Sequence, residues 1–394
     1  MLPCHDMATG IDGLHLHRES ALHRLTRGVR AGAAALGLDR RIVWAFVISR
    51  LLVVLAAVIA EGFIVRNPAL TSGDAAPILR SLTSWDGWYY LGIVRDGYHV
   101  VPVSGEYRDV AFLPLFPALV WVLSLPWPAF AGLVSVLVAN VASLISLGLL
   151  RRLGEPYVGR RRASIAAALM AVYPFAWAYA MAYTESLFLA LSIGAFLAAE
   201  KNRRPAAGLL LALACLCRLQ GLVLVLPLAI VLLRHDGWRP RASLAWLLMG
   251  PAAALGFLAY IGAITGSATA YLDAQGAWGR LGVGGSSPAD TIAAAISPYQ
   301  IALLVTLCWA VFLLVFARAD RMRIEYALIP VLYIAAEMAS GSLEAVGRVT
   351  MLAFPYAWML ASRGGFFARR WWPVLSAGLF TGLAVLAFGG YWVP

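Results

Sequence analysis

The chain of 394 residues is 61% hydrophobic and 13% charged, with a mean hydropathy of +0.78. These proportions exclude a soluble globule, whose apolar and charged fractions lie at about a half and about a quarter. The formal net charge of +11 comes almost wholly from arginine, since Lys201 is the only lysine. Those arginines fall in short clusters between apolar runs, a pattern of membrane topology, so no nucleic-acid partner is expected. The fold class expected is all-α, a polytopic bundle of transmembrane helices.

Residues 1–41 carry Arg18, Arg24, Arg27, Arg30, Arg40 and Arg41 with few acids and no long apolar core. This reads as a disordered basic tail that the positive-inside rule places in the cytoplasm. The membrane domain is expected over 42–394. Its first span is 42–60, interrupted by Arg50. A central arginine costs about 2.5–3.5 kcal/mol on insertion scales, so it should face the protein interior and find an acidic or carbonyl partner.

From Glu61 to Asp109 the chain is polar or mixed, which makes a long outside loop. The apolar stretch 112–127 contains Pro114, Pro117 and Pro126, with Pro128 next to it. If it crossed the membrane, Arg151, Arg152 and Arg160 to Arg162 would end up outside. It therefore reads as an interfacial or re-entrant helix belonging to the loop. Spans are then expected at 129–150, 164–180, 187–199, 206–217, 222–233, 243–264, 299–316, 325–339, 349–362 and 373–391. With 42–60 that makes about eleven, and every later basic cluster falls on the cytoplasmic side. Cys215, Cys217 and Cys308 sit in apolar runs and Cys4 in the tail, so no disulfide framework is implied. His15 and His17 lack further ligands and belong to the basic arm.

This topology collects the chemically useful residues on the outside. Asp86 stands among Trp85, Trp88, Tyr89 and Tyr90 in the first loop. One reading is an interfacial aromatic belt, with Ser84 or Asp86 capping a short helix. The other is a carboxylate acting as general base toward a hydroxyl, with aromatic faces stacked on sugar rings. Arg218 and Arg348 lie on the side where arginine is disfavoured. Each either binds a phosphate through its guanidinium fork or forms a structural bridge to Glu185 or Glu344. Glu185 is a helix-entering carboxylate or an active-site group. Gln275, Trp278 and Arg280 lie in a later outside loop, either ordinary wet loop or ligand contact.

Three blocks in order carry a resemblance. Trp85-Asp86-Gly87-Trp88-Tyr89-Tyr90 with Gly97-Tyr98, then Ala111-Phe112-Leu113-Pro114-Leu115-Phe116-Pro117, then Ala182-Tyr183-Thr184-Glu185-Ser186-Leu187-Phe188 resemble the PIG-V family. That family comprises GPI mannosyltransferase II and its bacterial relatives, within the GT-C superfamily. Gln275-Gly276-Ala277-Trp278-Gly279-Arg280 is similar to a Q-x-x-W segment of the bacterial members. The likeness runs from about residue 42 to about 350. It departs at Arg218-Leu219-Gln220-Gly221, where the family form is closer to Arg-Ser-Asn-Gly, so Gln220 carries no implied role.

The resemblance implies a GT-C-like bundle with membrane-parallel helices in its first outside loop. It implies transfer of mannose from a polyprenyl-phosphate donor to a hydroxyl of a glycolipid, glycan or protein, on the extracytoplasmic side of the cell membrane. Asp86 matches the early acidic residue of GT-C enzymes and would act as base in one inverting displacement, with Glu185 as the second acidic candidate. Arg218 and Arg348 would meet the departing lipid phosphate. Trp85, Trp88, Tyr89, Gln275, Trp278 and Arg280 are the sugar- or acceptor-binding candidates. Neither a cofactor nor a metal is expected, since no DxD or His/carboxylate set marks a metal site. A lipid or sugar transporter and a non-catalytic subunit of a glycosylation complex are the alternatives.

Overall fold

A computed structural model describes residues 32–65, 76–99, 109–277, 322–340, 346–362, 371–391 and 393; among these there are helices and no strand. The helices are α1 (Arg40–Phe63), α2 (Pro77–Thr83), α3 (Asp86–Asp96), α4 (Leu115–Ser124), α5 (Ala131–Val158), α6 (Arg160–Ala171), α7 (Glu185–Glu200) and α8 (Arg204–Cys217). They continue as α9 (Val225–His235), α10 (Met249–Thr265), α11 (Ala270–Ala277), α12 (Ile324–Ser340), α13 (Val346–Thr350), α14 (Pro355–Ser362) and α15 (Trp371–Phe388).

Among the described residues, four helical stretches are long and apolar enough to cross a membrane: Arg40–Phe63, Pro128–Val158, Ala242–Thr265 and Trp371–Phe388. They match four of the expected spans, and the protein is a multi-pass membrane protein. Of the other expected spans, 299–316 lies outside the described residues and the rest are shorter helices. The 16 residues of α7 and the 14 of α8 reach only about 24 and 21 Å at 1.5 Å per residue, against a hydrocarbon core of about 30 Å. The 10 residues of α4 reach about 15 Å, so the 112–127 stretch is too short to cross.

The structured region begins before residue 42. Asp39 caps α1, its carboxylate accepting from the Ile42 amide at 3.0 Å, and Arg151 donates to the Gly37 carbonyl at 2.8 Å. The expected span 164–180 is not one helix. α6 ends at Ala171, Pro174 prevents continuation, and a 3-10 turn follows over Ala176–Ala180. Residues 176–186 are all buried.

Non-helical backbone at membrane depth survives only where its polar groups find protein partners, and here Arg50 is one of them. Its guanidinium donates to Asn140 Oδ1 at 2.6 Å, to the Ser143 hydroxyl at 2.7 Å and, at 3.5 Å, to the Tyr179 carbonyl. Asn140 Nδ2 donates to the Ala180 carbonyl at 3.1 Å, and Ser186 Oγ to the Tyr179 carbonyl at 2.9 Å. The predicted interior partner of Arg50 is thus a carbonyl with three polar side chains, Asn140, Ser143 and Ser49 (3.0 Å), and among the described residues no acid. The outcome is a rigid, non-helical floor that delivers Tyr183, Thr184 and Glu185 to one end of the bundle.

Candidate functional site

Trp85 holds the N-cap position of α3 at φ 57° and ψ −125°, a strained conformation for a bulky residue. Its indole N–H donates to the Ala387 carbonyl of α15 at 2.7 Å, which fixes that turn and starts α3 at Asp86. Neither residue of the capping alternative caps α3. The Ser84 hydroxyl donates to the Ser81 carbonyl at 2.8 Å, and Trp85 makes no side-chain cap. Gly87 follows because α3 passes close to the buried floor. A Cβ there would lie 3.2 Å from Ala182 Cβ, while the Ala182 amide donates to the Leu82 carbonyl at 2.8 Å.

Two carboxylates and two arginines alternate at this end. Arg348 on α13 donates to Asp86 Oδ2 at 2.7 Å and lies 3.6 Å from Glu185 Oε1. Arg218, just after α8, reaches the same Glu185 oxygen at 3.1 Å and donates to the Thr184 hydroxyl at 2.9 Å. The Arg348 guanidinium also sits 5.3 Å over the Tyr183 ring. The Tyr90 hydroxyl donates to Thr184 Oγ1 at 3.3 Å.

Gly221 lets the chain turn tightly here. Its amide donates to the Arg218 carbonyl at 2.9 Å, and a Cβ would meet the Cys215 backbone nitrogen at 2.8 Å. Burial works to strip the charge from Arg348; Asp86 and Glu185 outweigh it and raise its pKa above the ordinary arginine value. Arg218 follows the same balance, burial being outweighed by Glu185. Both arginines therefore remain cations while buried.

The cluster opens on one side into a small cleft lined by Asp86, Arg348, Trp85, Trp177, Tyr183 and Tyr391. Glu185 lies behind the arginines, with a side chain 1% exposed. Arg218 keeps a buried Nε–H without a hydrogen-bond partner among the described residues.

Residues 46–235 match the family model described as Mannosyltransferase (PIG-V). Over that stretch the chain is similar to the PIG-V family. A curated relative, GPI mannosyltransferase 2 of Chaetomium globosum, is 30% identical over 214 residues, 44% of this chain and 44% of that protein. Among solved structures, the apo crystal structure of the Archaeoglobus fulgidus oligosaccharyltransferase aligns at 13% identity and a TM-score of 0.47, covering 90% of this chain and 56% of that one. The chain thus spans about half the length of these two proteins. The PIG-V stretch carries Asp86, Glu185 and Arg218, while Arg348 lies beyond its end.

Of the sequence-predicted residues, Asp86, Glu185, Arg218 and Arg348 come together, with Trp85 on the cleft wall. Arg218 takes the bridge to Glu185, and Arg348 reaches both Asp86 and Glu185. Trp88 is exposed and meets Tyr89 edge-on at 5.3 Å, while Tyr89 stacks on Phe112 at 4.9 Å. These two rings form a platform beside α4 and are not among the residues lining the cleft. Gln275 is buried on α11, whose Ala270 and Ala274 pack with Val110 and Leu113. Trp278, Arg280 and Glu344 lie outside the described residues. Sequence reasoning singled out neither Thr184 nor Trp177. Thr184 sat inside a block already quoted; Trp177, in an apolar run, gave no signal.

Proposed function

We propose that the protein is a membrane glycosyltransferase that moves mannose from a polyprenyl-phosphate donor to an acceptor hydroxyl at the cleft, by a single inverting displacement without a metal. The observation that carries this reading is the Asp86–Arg348 pair on an aromatic cleft, continuous with Glu185 and Arg218. Asp86 is the base: it takes the proton of the acceptor hydroxyl as that oxygen attacks the anomeric carbon. Arg348 holds the carboxylate in one orientation.

The leaving group is a phosphate anion, which needs cationic stabilisation and no proton. Arg218, with an unmatched Nε–H, supplies a donor for it, and Arg348 adds a second positive charge. Glu185 is the counter-charge that keeps both guanidiniums in place. A β-linked lipid phosphate would give an α-mannoside. The cleft lies at the end of the bundle away from the exposed arginine clusters, and by the positive-inside rule this supports a site on the extracytoplasmic face of the cell membrane.

The test is transfer of radiolabelled mannose from polyprenyl-phosphate mannose by purified protein in proteoliposomes. Asp86→Asn keeps shape and removes the base, so turnover per folded molecule should fall about 10² to 10⁴-fold, with the folded fraction of the variant measured alongside. Near-normal turnover by the folded variant would rule out Asp86 as the base. No transfer by the wild type would reject the enzyme reading in favour of a non-catalytic subunit.

A further inference from the structure

Among the described residues, Trp85, Trp177 and Trp358 bring an indole N–H into the interior, and the fold treats them differently. Trp85 donates to the Ala387 carbonyl at 2.7 Å and Trp358 to the Leu150 carbonyl at 3.3 Å. Trp177 is 2% exposed, and its Nε1 is buried with no hydrogen-bond partner among the described residues. An indole is a donor and nothing else. A buried donor without an acceptor is a standing cost to the folded state, and native proteins rarely keep one without a use.

The ring stands where a use exists. It projects from the buried turn Ala176–Ala180, packs edge-on against Phe388 at 6.2 Å, and lines the same cleft as Asp86 and Arg348. The turn is held by Arg50, Asn140 and Ser186 through the Tyr179 and Ala180 carbonyls, so the indole has little freedom to seek a partner in the protein. Among the described residues nothing completes it, and an oxygen acceptor arriving in the cleft would. An anion there would meet the Asp86 carboxylate; a neutral hydroxyl or ring oxygen would not. Trp85 and Tyr183 add aromatic walls, against which the apolar face of a sugar ring packs.

Resting on the glycosyl-transfer reading of this cleft, we propose that Trp177 is an acceptor-binding residue. Its Nε1–H donates to a neutral oxygen of the acceptor sugar and so sets the angle at which the attacking hydroxyl meets Asp86. Trp85, with its N–H engaged by the protein, contributes ring surface alone.

The experiment replaces Trp177 with β-(3-benzothienyl)alanine, which keeps the bicyclic shape and puts sulfur in place of N–H; Trp177→Phe is the second variant. Binding of methyl α-mannopyranoside to protein in nanodiscs is followed by saturation-transfer NMR, independently of turnover. Loss of one hydrogen bond should weaken binding about three- to tenfold in both variants. Among monodeoxy glycosides, one that binds the wild type poorly should bind the sulfur isostere as well as the parent sugar does. Equal affinity of wild type and isostere, including no measurable binding to either, overturns the assignment. Glycoside binding that depends on Trp177 in a protein that transfers no mannose would reject the enzyme reading and leave the binding site standing.

Discussion

The two ends of the bundle use arginine in opposite ways. At the end away from the cleft, Arg160, Arg161, Arg162, Arg203 and Arg239 are exposed. Ion pairs form there too, among them Arg204 to Asp236 at 2.6 Å, Arg241 to the same carboxylate at 3.4 Å, and Arg234 on α9 to Glu325 on α12 at 2.7 Å. Glu200 accepts from the Tyr157 and Tyr326 hydroxyls at 2.5 and 2.7 Å. At the cleft end Arg218 and Arg348 are each about nine-tenths covered, with side chains 13% and 11% exposed, and are matched by Asp86 and Glu185. Surplus exposed cations set which end stays on the side of synthesis. Buried, matched ones set up a field inside a low-dielectric site. One residue type is therefore exposed at one end and buried at the other, and burial with charge matching separates the two populations.

The sharpest way to break that contrast is Glu185→Gln. It leaves two buried guanidiniums with Asp86 as their remaining carboxylate partner in the cluster, and removal of one member of a buried ion network costs about 3–5 kcal/mol. Denaturant or thermal unfolding in detergent should register that loss. A variant as stable as wild type would mean that the cleft-end charges are not mutually dependent. Arg218→Ala should next raise the donor KM about ten- to a hundredfold, as expected for a lost charge-assisted hydrogen bond, and leave the acceptor KM nearly unchanged. Arg218→Lys should recover only part, because a point charge does not reproduce a fork; full recovery by lysine would make Arg218 a structural bridge.

The opposite end predicts a pH effect instead. The hydrogen bond from Arg204 holds the Asp236 pKa below its ordinary 3.8, with the Arg204 and Arg241 charges adding to it. A depressed folded value means that the stabilisation is fully present above 3.8 and is lost as the pH falls below it through the folded value. Melting temperature should therefore drop more between pH 6 and pH 3 for wild type than for Asp236→Asn, with mannose transfer at neutral pH unaffected by the substitution. Equal drops would remove Asp236 from the clamp. The smallest perturbation sharpens the comparison itself: single cysteines at Val158, the last residue of α5, and at Trp127, just before the turn that leads into α5, should react with impermeant maleimide from opposite sides of sealed vesicles. Labelling of both from one side would end the assignment of the two arginine populations to two faces.

The sequence by itself determined the class of the protein, its four longest apolar helices, the non-crossing nature of the 112–127 stretch, and the names of the four charged residues at the cleft. Each of these follows from local pattern: a run of about twenty apolar residues, a cluster of prolines, or a charge on the side where charge is disfavoured. Tertiary structure alone decided the pairing. Arg348 reaches Asp86 across 262 positions of sequence, and no spacing rule encodes which of two carboxylates a distant guanidinium will meet.

Structure also decided the fate of 164–180, where a run of small apolar residues suits a spanning helix and a buried turn equally well. Pro174 breaks the helix, and the freed carbonyls are acceptable because Arg50, Asn140 and Ser186 come from elsewhere to bind them. Trp177 was invisible for the same reason. In sequence it is one more apolar residue; its place on the same cleft as Asp86, with an indole N–H that has no hydrogen-bond partner among the described residues, comes only from the assembled fold.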